Sequence, residues 1–202
     1  MTRVAYEADG WGEGELWFAG PRLVWHELPQ PRPARPRPAR SRRVQTRPTA
    51  TGPIRPDPRP GGDTARHPLR STIPVKSVRV ANETVPDVRR LVHSLQRYFA
   101  GERIEFGDVA IELDGYTPFQ LDVVRALRTV PYGTVVTYAE LAGKAGHVNA
   151  QRAAGTFCAQ NRFPLIVPCH RVVAASGIGG YGSLGAEYKR RLLALEGCAH
   201  AL

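Results

Sequence analysis

The stretch Thr137-Tyr138-Ala139-Glu140-Leu141-Ala142-Gly143-Lys144-Ala145-Gly146-His147-Val148-Asn149-Ala150-Gln151-Arg152-Ala153-Ala154-Gly155 decides how the fold is read. Thr137 with Glu140 three residues later is a capping box, which opens a short helix through Ala145. Gly146-His147-Val148 turns the chain, and Asn149 is placed to cap a further helix running to about Gln160. Two short helices joined by a tight, Gly-containing turn form a helix-turn-helix pattern. The second helix carries Arg152 among Ala150, Ala153, Ala154 and Gly155, small residues that allow a backbone to approach a nucleic-acid groove. Taken alone, the same pattern also describes a tightly packed helix with a surface Arg.

Reading outward, Thr117-Pro118-Phe119-Gln120 is another capping box with proline at the first helical position, and its helix continues to Arg128. Pro131-Tyr132-Gly133 is a turn. Further upstream, Val109–Leu113 and Val75–Val80 read as short strands, and apolar residues from Val88 to Phe99 recur at helical spacing. Near the start, Glu15–Phe18 and Leu23–His26 flank a Gly20-Pro21 turn and read as a hairpin. The expected class is α+β. A small N-terminal domain of strands plus a helix is followed by a mostly helical C-terminal domain with the helix-turn-helix and a cysteine loop. The expected boundaries are a hairpin at 1–28, a Pro/Arg-rich linker or insertion at 29–71, the rest of the small domain at 72–114, and the C-terminal domain at 115–202.

The net charge of +10 is unevenly spread. Residues 29–60 hold 9 Arg and 10 Pro against Asp57 alone, a net +8 that leaves +2 for the rest of the chain. Proline removes backbone donors and like charges repel, so an extended, disordered tract is expected, either a solvated tether or an arm along DNA phosphates. No run approaches the roughly 20 apolar residues of a membrane helix. Arg3 is followed by no apolar stretch of a secretory signal. Three cysteines, Cys158, Cys169 and Cys198, are too few for a disulfide scaffold and have no metal-ligand spacing, so neither metal nor cofactor is expected. A cytoplasmic protein is expected, of bacterial type or nuclear if eukaryotic, and with no heptad repeat in the sequence it is expected to act as a monomer without an obligate protein partner.

The chemistry concentrates in Asn161-Arg162-Phe163-Pro164-Leu165-Ile166-Val167-Pro168-Cys169-His170-Arg171-Val172-Val173. A lone cysteine in apolar surroundings is usually inert. Here a rigid proline precedes it, His170 follows as a proton acceptor, and Arg171 offers a charge that would lower a thiol pKa. An imidazole needs a third group to orient it, and Glu196 is the candidate.

Pro168-Cys169-His170-Arg171-Val172 resembles the active-site signature of the O6-alkylguanine-DNA alkyltransferases, the methylated-DNA–protein-cysteine S-methyltransferases. The resemblance runs in order from about Gly115 to Gly197 and takes in Pro131-Tyr132-Gly133, Tyr138, Arg152, Asn161 and Glu196-Gly197. It implies DNA repair by direct reversal: one self-inactivating transfer of a methyl or larger alkyl group from O6-alkylguanine, or O4-alkylthymine, in double-stranded DNA to Cys169. By resemblance, His170 activates Cys169 through a water, Glu196 orients His170, and Asn161 braces the hinge below the nucleophile. Arg152 is the finger that replaces an extruded nucleotide, with Ala150, Gln151, Ala153 and Gly155 on the DNA-facing helix. Tyr138, Val172, Tyr181, Gly182 and Ser183 belong to the base pocket. Gln151 and Thr156-Phe157 are larger than the family commonly carries on this helix. The alternatives are a non-catalytic lesion sensor and a helix-turn-helix regulator. The first characteristically lacks the cysteine, and the second leaves the Cys-His run unexplained.

Overall fold

The structure is a computed structural model that describes residues 1–31 and 85–198. The Pro/Arg-rich tract beyond residue 31 and the strand expected over Val75–Val80 lie outside the described residues.

Three strands, β1 (Thr2–Ala8), β2 (Gly12–Ala19) and β3 (Arg22–Gln30), form an antiparallel sheet in the order β1-β2-β3. Side chains alternate across a strand, and a register shift in the β2–β3 pairing between Trp17 and Phe18 resets β3, so that Tyr6, Ala8, Leu16, Phe18, Leu23 and Leu28 all reach one buried face. Gly20 adopts φ 57° in the two-residue link between β2 and β3, the left-handed backbone that tight hairpins require. Gly14 is dictated by packing instead, since a Cβ there would sit 2.6 Å from the Tyr6 ring and 2.8 Å from the Glu27 carbonyl oxygen. Helix α1 (Val85–Phe99) turns Val88, Leu91, Leu95, Tyr98 and Phe99 into the core. Strand β3 runs two residues into the expected linker, and the Tyr188 hydroxyl holds it there by donating to the Pro29 carbonyl at 2.8 Å.

The expected strand at Val109–Leu113 is reduced to a single bridge between Leu23 and Ile111. Side chains take the carbonyls a ladder would need: Arg128 Nη2 donates to Val109 O at 2.6 Å and Arg162 Nη2 to Glu112 O at 3.3 Å.

Both capping boxes form as read. Thr117 and Gln120 open α2 (Pro118–Arg128), and Thr137 and Glu140 open α3 (Tyr138–Lys144). Helix α4 (Gln151–Ala159) follows, but Asn149 does not cap it. Its N-cap is Ala150, without a side-chain bond, because Asn149 takes φ 68° and makes the sharp turn itself, a conformation Asn tolerates better than most residues. Two-residue strands β4 (Val136–Thr137) and β5 (Val172–Val173) pair in parallel and bring the segment after Cys169 alongside the start of α3. Helix α5 (Gly185–Leu195) closes the described chain.

One hydrophobic cluster joins the inner face of the sheet and α1 to Leu127 of α2, Leu141 of α3, Ala154 and Phe157 of α4, and Leu192 of α5. Ala154 and Phe157 therefore face the core rather than a groove. Phe157 meets Tyr116 edge-on, with ring centroids 6.2 Å apart. Among the described residues, no helix is long and apolar enough to cross a membrane.

Candidate active site

Cys169 opens a single 3-10 turn, Cys169–Arg171, and local chemistry fixes how it gets there. Pro168 has φ −78° and ψ 64°, the inverse γ-turn that its ring favours, and the Cys169 amide donates to Val167 O at 2.8 Å. Asn161, at the end of α4, braces this loop from below. Its Nδ2 donates to Val167 O at 2.7 Å and to Cys169 Sγ at 3.1 Å, while its Oδ1 accepts from the Phe163 amide at 3.0 Å. Leu165 sits at φ 70°, strained for a branched side chain, inside the same loop.

The two residues that follow the nucleophile, His170 and Arg171, both turn to Glu196. His170 is wholly buried, with Nε2 2.9 Å from Glu196 Oε1. Against an ionised carboxylate that nitrogen carries the hydrogen, which leaves Nδ1 as the acceptor. Nδ1 is buried without a hydrogen-bond partner among the described residues. Burial pulls the imidazole below its ordinary range, and the Glu196 contact only partly restores it, so the ring is neutral near pH 7.

Glu196 owes its place to the end of α5. Gly197 takes φ 80°, its amide donates to Ala194 O at 3.0 Å, and the Cys198 amide donates to Leu193 O at 2.7 Å. This left-handed stop ends the helix just beyond the carboxylate. Glu196 then accepts five hydrogen bonds: Tyr98 Oη, His170 Nε2 and Arg171 Nη2 on Oε1 at 2.7, 2.9 and 3.0 Å, and Arg171 Nε and the Gly133 amide on Oε2 at 2.9 and 3.2 Å. Burial alone would raise its pKa, but His170 and Arg171 take it down to about 2.

The role read for Arg171 is corrected. It does not approach the thiol; its guanidinium holds Glu196 and donates to Val130 O at 2.7 Å. The cation that acts on Cys169 is Lys189 of α5, which sequence reasoning missed. Its ammonium is fully buried and donates to the carbonyls of Val172, Ile178 and Gly180. Burial pushes the Cys169 thiol up, opposed by the Asn161 hydrogen bond, the Lys189 charge and the Tyr181 hydroxyl. That hydroxyl is buried close to the sulfur without completing a good hydrogen bond. Lys189 and Tyr98 lay hidden because their spacing to Cys169 follows no local period; only the tertiary fold brings them in.

Cys169 opens onto a cavity of about 110 Å³ walled by Tyr138, Gly155, Cys158, Ala159, Gly180, Tyr181 and Gly182. Gly155 is where α4 passes the Tyr138 ring, since a Cβ there would lie 3.8 Å from it. Neither Val172 nor Ser183 is among the residues that wall this cavity: Val172 is fully buried with its carbonyl taken by Lys189, and Ser183 is exposed. On the outer side of α4, Gln151, Arg152 and Ala153 are exposed and Ala150 is half-buried at its start. Arg152 forms no ion pair among the described residues.

A buried thiol beside a neutral imidazole, an ionised carboxylate behind that imidazole and a small cavity in front define a protein with a nucleophilic cysteine. The family model of the 6-O-methylguanine DNA methyltransferase DNA-binding domain matches residues 118–198. A methylated-DNA–protein-cysteine methyltransferase from Methanopyrus kandleri is 43% identical over 129 residues, covering 64% of this chain and 95% of that protein. One from Mycobacterium bovis is 49% identical over 106 residues, 52% of this chain and 62% of that protein. The crystal structure of Mycobacterium tuberculosis OGT in complex with DNA superposes with a TM-score of 0.61 at 29% identity, covering 96% of this chain and 92% of the other. The chain belongs to the methylated-DNA–protein-cysteine methyltransferase family.

Proposed function

We propose that this protein repairs DNA by moving an alkyl group from the O6 of a damaged guanine in a duplex onto Cys169, once per molecule. The observation that carries this reading is the thiol lining a recess of about 110 Å³, held by Asn161 and backed by the His170–Glu196 pair. The proton of Cys169 passes through a bridging water to His170 Nδ1, while Glu196 holds the opposite nitrogen and stabilises the imidazolium. The sulfur attacks the alkyl carbon, the carbon–O6 bond breaks, and its electron pair leaves on the purine. Tyr138, on the cavity wall, donates towards the nitrogen where that charge settles. The thioether has no leaving route, so the protein is consumed.

A base inside a duplex cannot reach the recess, so it must leave the stack, at a cost of a few kcal/mol. The exposed face of α4 approaches the DNA, and Arg152 fills the gap that the base leaves. The Lys189-pinned loop with Gly180, Tyr181 and Gly182 forms the far wall against the extruded base. The protein acts as a monomer in this reading. Mixing it with excess duplex bearing radiolabelled O6-methylguanine tests the proposal. One equivalent of label per protein, with no further turnover, is expected. Binding without transfer would return the sensor reading.

A further inference from the structure

The hydroxyl of Tyr98 has no part in the chemistry described above, yet it meets the carboxylate at the back of the relay. Tyr98 belongs to α1, before the stretch 118–198 that the family model matches. Its side chain is fully buried, and its ring is boxed by Phe99, Phe106 and Tyr132 at centroid distances of 5.4, 5.8 and 6.1 Å. The ring alone satisfies that packing. The hydroxyl does something separate: it donates to Glu196 Oε1 at 2.7 Å, the same oxygen that faces His170 Nε2 at 2.9 Å, and lies 3.4 Å from that nitrogen.

A carboxylate oxygen shared among several donors holds each of them less strongly. We propose that Tyr98 is a positioning residue for the reaction: by occupying part of Glu196 Oε1, it limits how firmly the carboxylate grips the His170 imidazolium and keeps the ring ready to accept the thiol proton. This inference rests on the alkyl-transfer reading and extends it to a residue of the N-terminal half. Other groups also bear on the pair: Arg171 on both carboxylate oxygens, Glu105 beyond Arg171, Lys189 from α5, Tyr132 from the 131–133 turn, and the Cys198 thiol. Of these, Arg171 is the other donor on the oxygen that His170 uses. It carries a fixed charge, so Tyr98 is the group whose donor strength is open to adjustment.

The test compares Tyr98→Phe with a protein carrying 3-fluorotyrosine at position 98, a stronger donor of the same shape. The His170 ring is titrated by NMR with 13C-labelled histidine, and single-turnover transfer rates are measured against pH. Without the hydroxyl, Oε1 holds the imidazolium more firmly, so Tyr98→Phe should take up the His170 proton at higher pH. The acid limb of the rate profile should move up with it by the same amount. Fluorotyrosine should move both the other way. A slower Tyr98→Phe protein with the midpoint and limb unmoved would mean a packing role only and overturn the proposal, as would shifts of the same sign in both proteins. The NMR titration needs no damaged DNA, so failure of the wild type to transfer alkyl groups is read separately from failure of this assignment.

Discussion

His26 Nδ1 donates to the Pro164 carbonyl at 2.7 Å, tying the last strand of the sheet to the loop that carries Cys169. The link is doubled on the main chain, where the His26 amide donates to Arg162 O at 2.9 Å. With Nδ1 donating, Nε2 is left to accept from the Tyr6 hydroxyl at 2.7 Å, so the neutral ring is satisfied on both sides. Burial lowers its pKa from 6.5 to about 4, against a weaker opposing effect of the Pro164 bond.

Stability should therefore depend on this ring in acid. The unfolded imidazole takes its proton near pH 6.5 and the folded one near pH 4, so the contribution is complete above 6.5 and is lost as pH falls to 4. The loss is on the order of 3 kcal/mol. Buried His170, also lowered, adds in the same direction. Denaturant melts across this window should show stability falling with pH, and His26→Gln should flatten the dependence. An equally steep fall in that variant would clear His26 of the effect.

Replacing His170 by Ala removes the proton acceptor and should slow transfer by about a hundred- to ten-thousand-fold with lesion binding retained. Glu196→Gln should be slow as well, but it also removes the buried carboxylate that holds the Arg171 guanidinium on two nitrogens and leaves it only the more exposed Glu105, which should lower stability. Single-turnover rates beside thermal melts separate the two effects. Normal rates in both variants would remove the relay from the mechanism.

Much of this site could be read along the chain because its signals are local. Thr117 with Gln120 and Thr137 with Glu140 set two helix starts within four residues each, and the structure reproduces both. Likewise Pro168 acts on the residue beside it. Asn149 misled because a good capping residue is also a good left-handed residue, and the turn claimed it. The strand at Val109–Leu113 failed because distant Arg128 and Arg162 compete for its carbonyls, which no local pattern reports. Arg171 was placed correctly in the chain but aimed wrongly. Its guanidinium is taken up by Glu196 and the Val130 carbonyl, so the charge that acts on the thiol comes from elsewhere in the fold, from Lys189.

Lys189→Met keeps most of the stem volume and removes the ammonium. Three carbonyls then lose their donor, and the thiol loses the positive charge that opposes its burial. The Cys169 thiolate should form at higher pH, read by its ultraviolet absorbance, and transfer near neutral pH should slow. A thiol titration identical to the wild type would show that Lys189 serves the loop alone.

Arg152→Ala should weaken the reaction with duplex DNA while leaving reaction with a free O6-alkylguanine base unchanged, because the free base has no stack to leave. The motivation is an exposed guanidinium without an ion-pair partner among the described residues, on the face of α4 assigned to DNA. Equal losses on both substrates would place Arg152 in the support of the pocket instead.

The most direct measurement is the mass of the cysteine peptides after the protein has met one equivalent of duplex carrying O6-methylguanine. Three thiols are present, and two of them, Cys158 and Cys169, face the same cavity. Burial and the neighbouring Cys169 push the Cys158 thiol well up, and no side chain among the described residues donates to its sulfur, whereas Asn161 donates to Cys169. The peptide bearing Cys169 should gain one methyl group, those bearing Cys158 and Cys198 should gain none, and Cys169→Ala should bind the duplex without being modified. A methyl group on Cys158, or on the Cys169→Ala protein, would contradict the account.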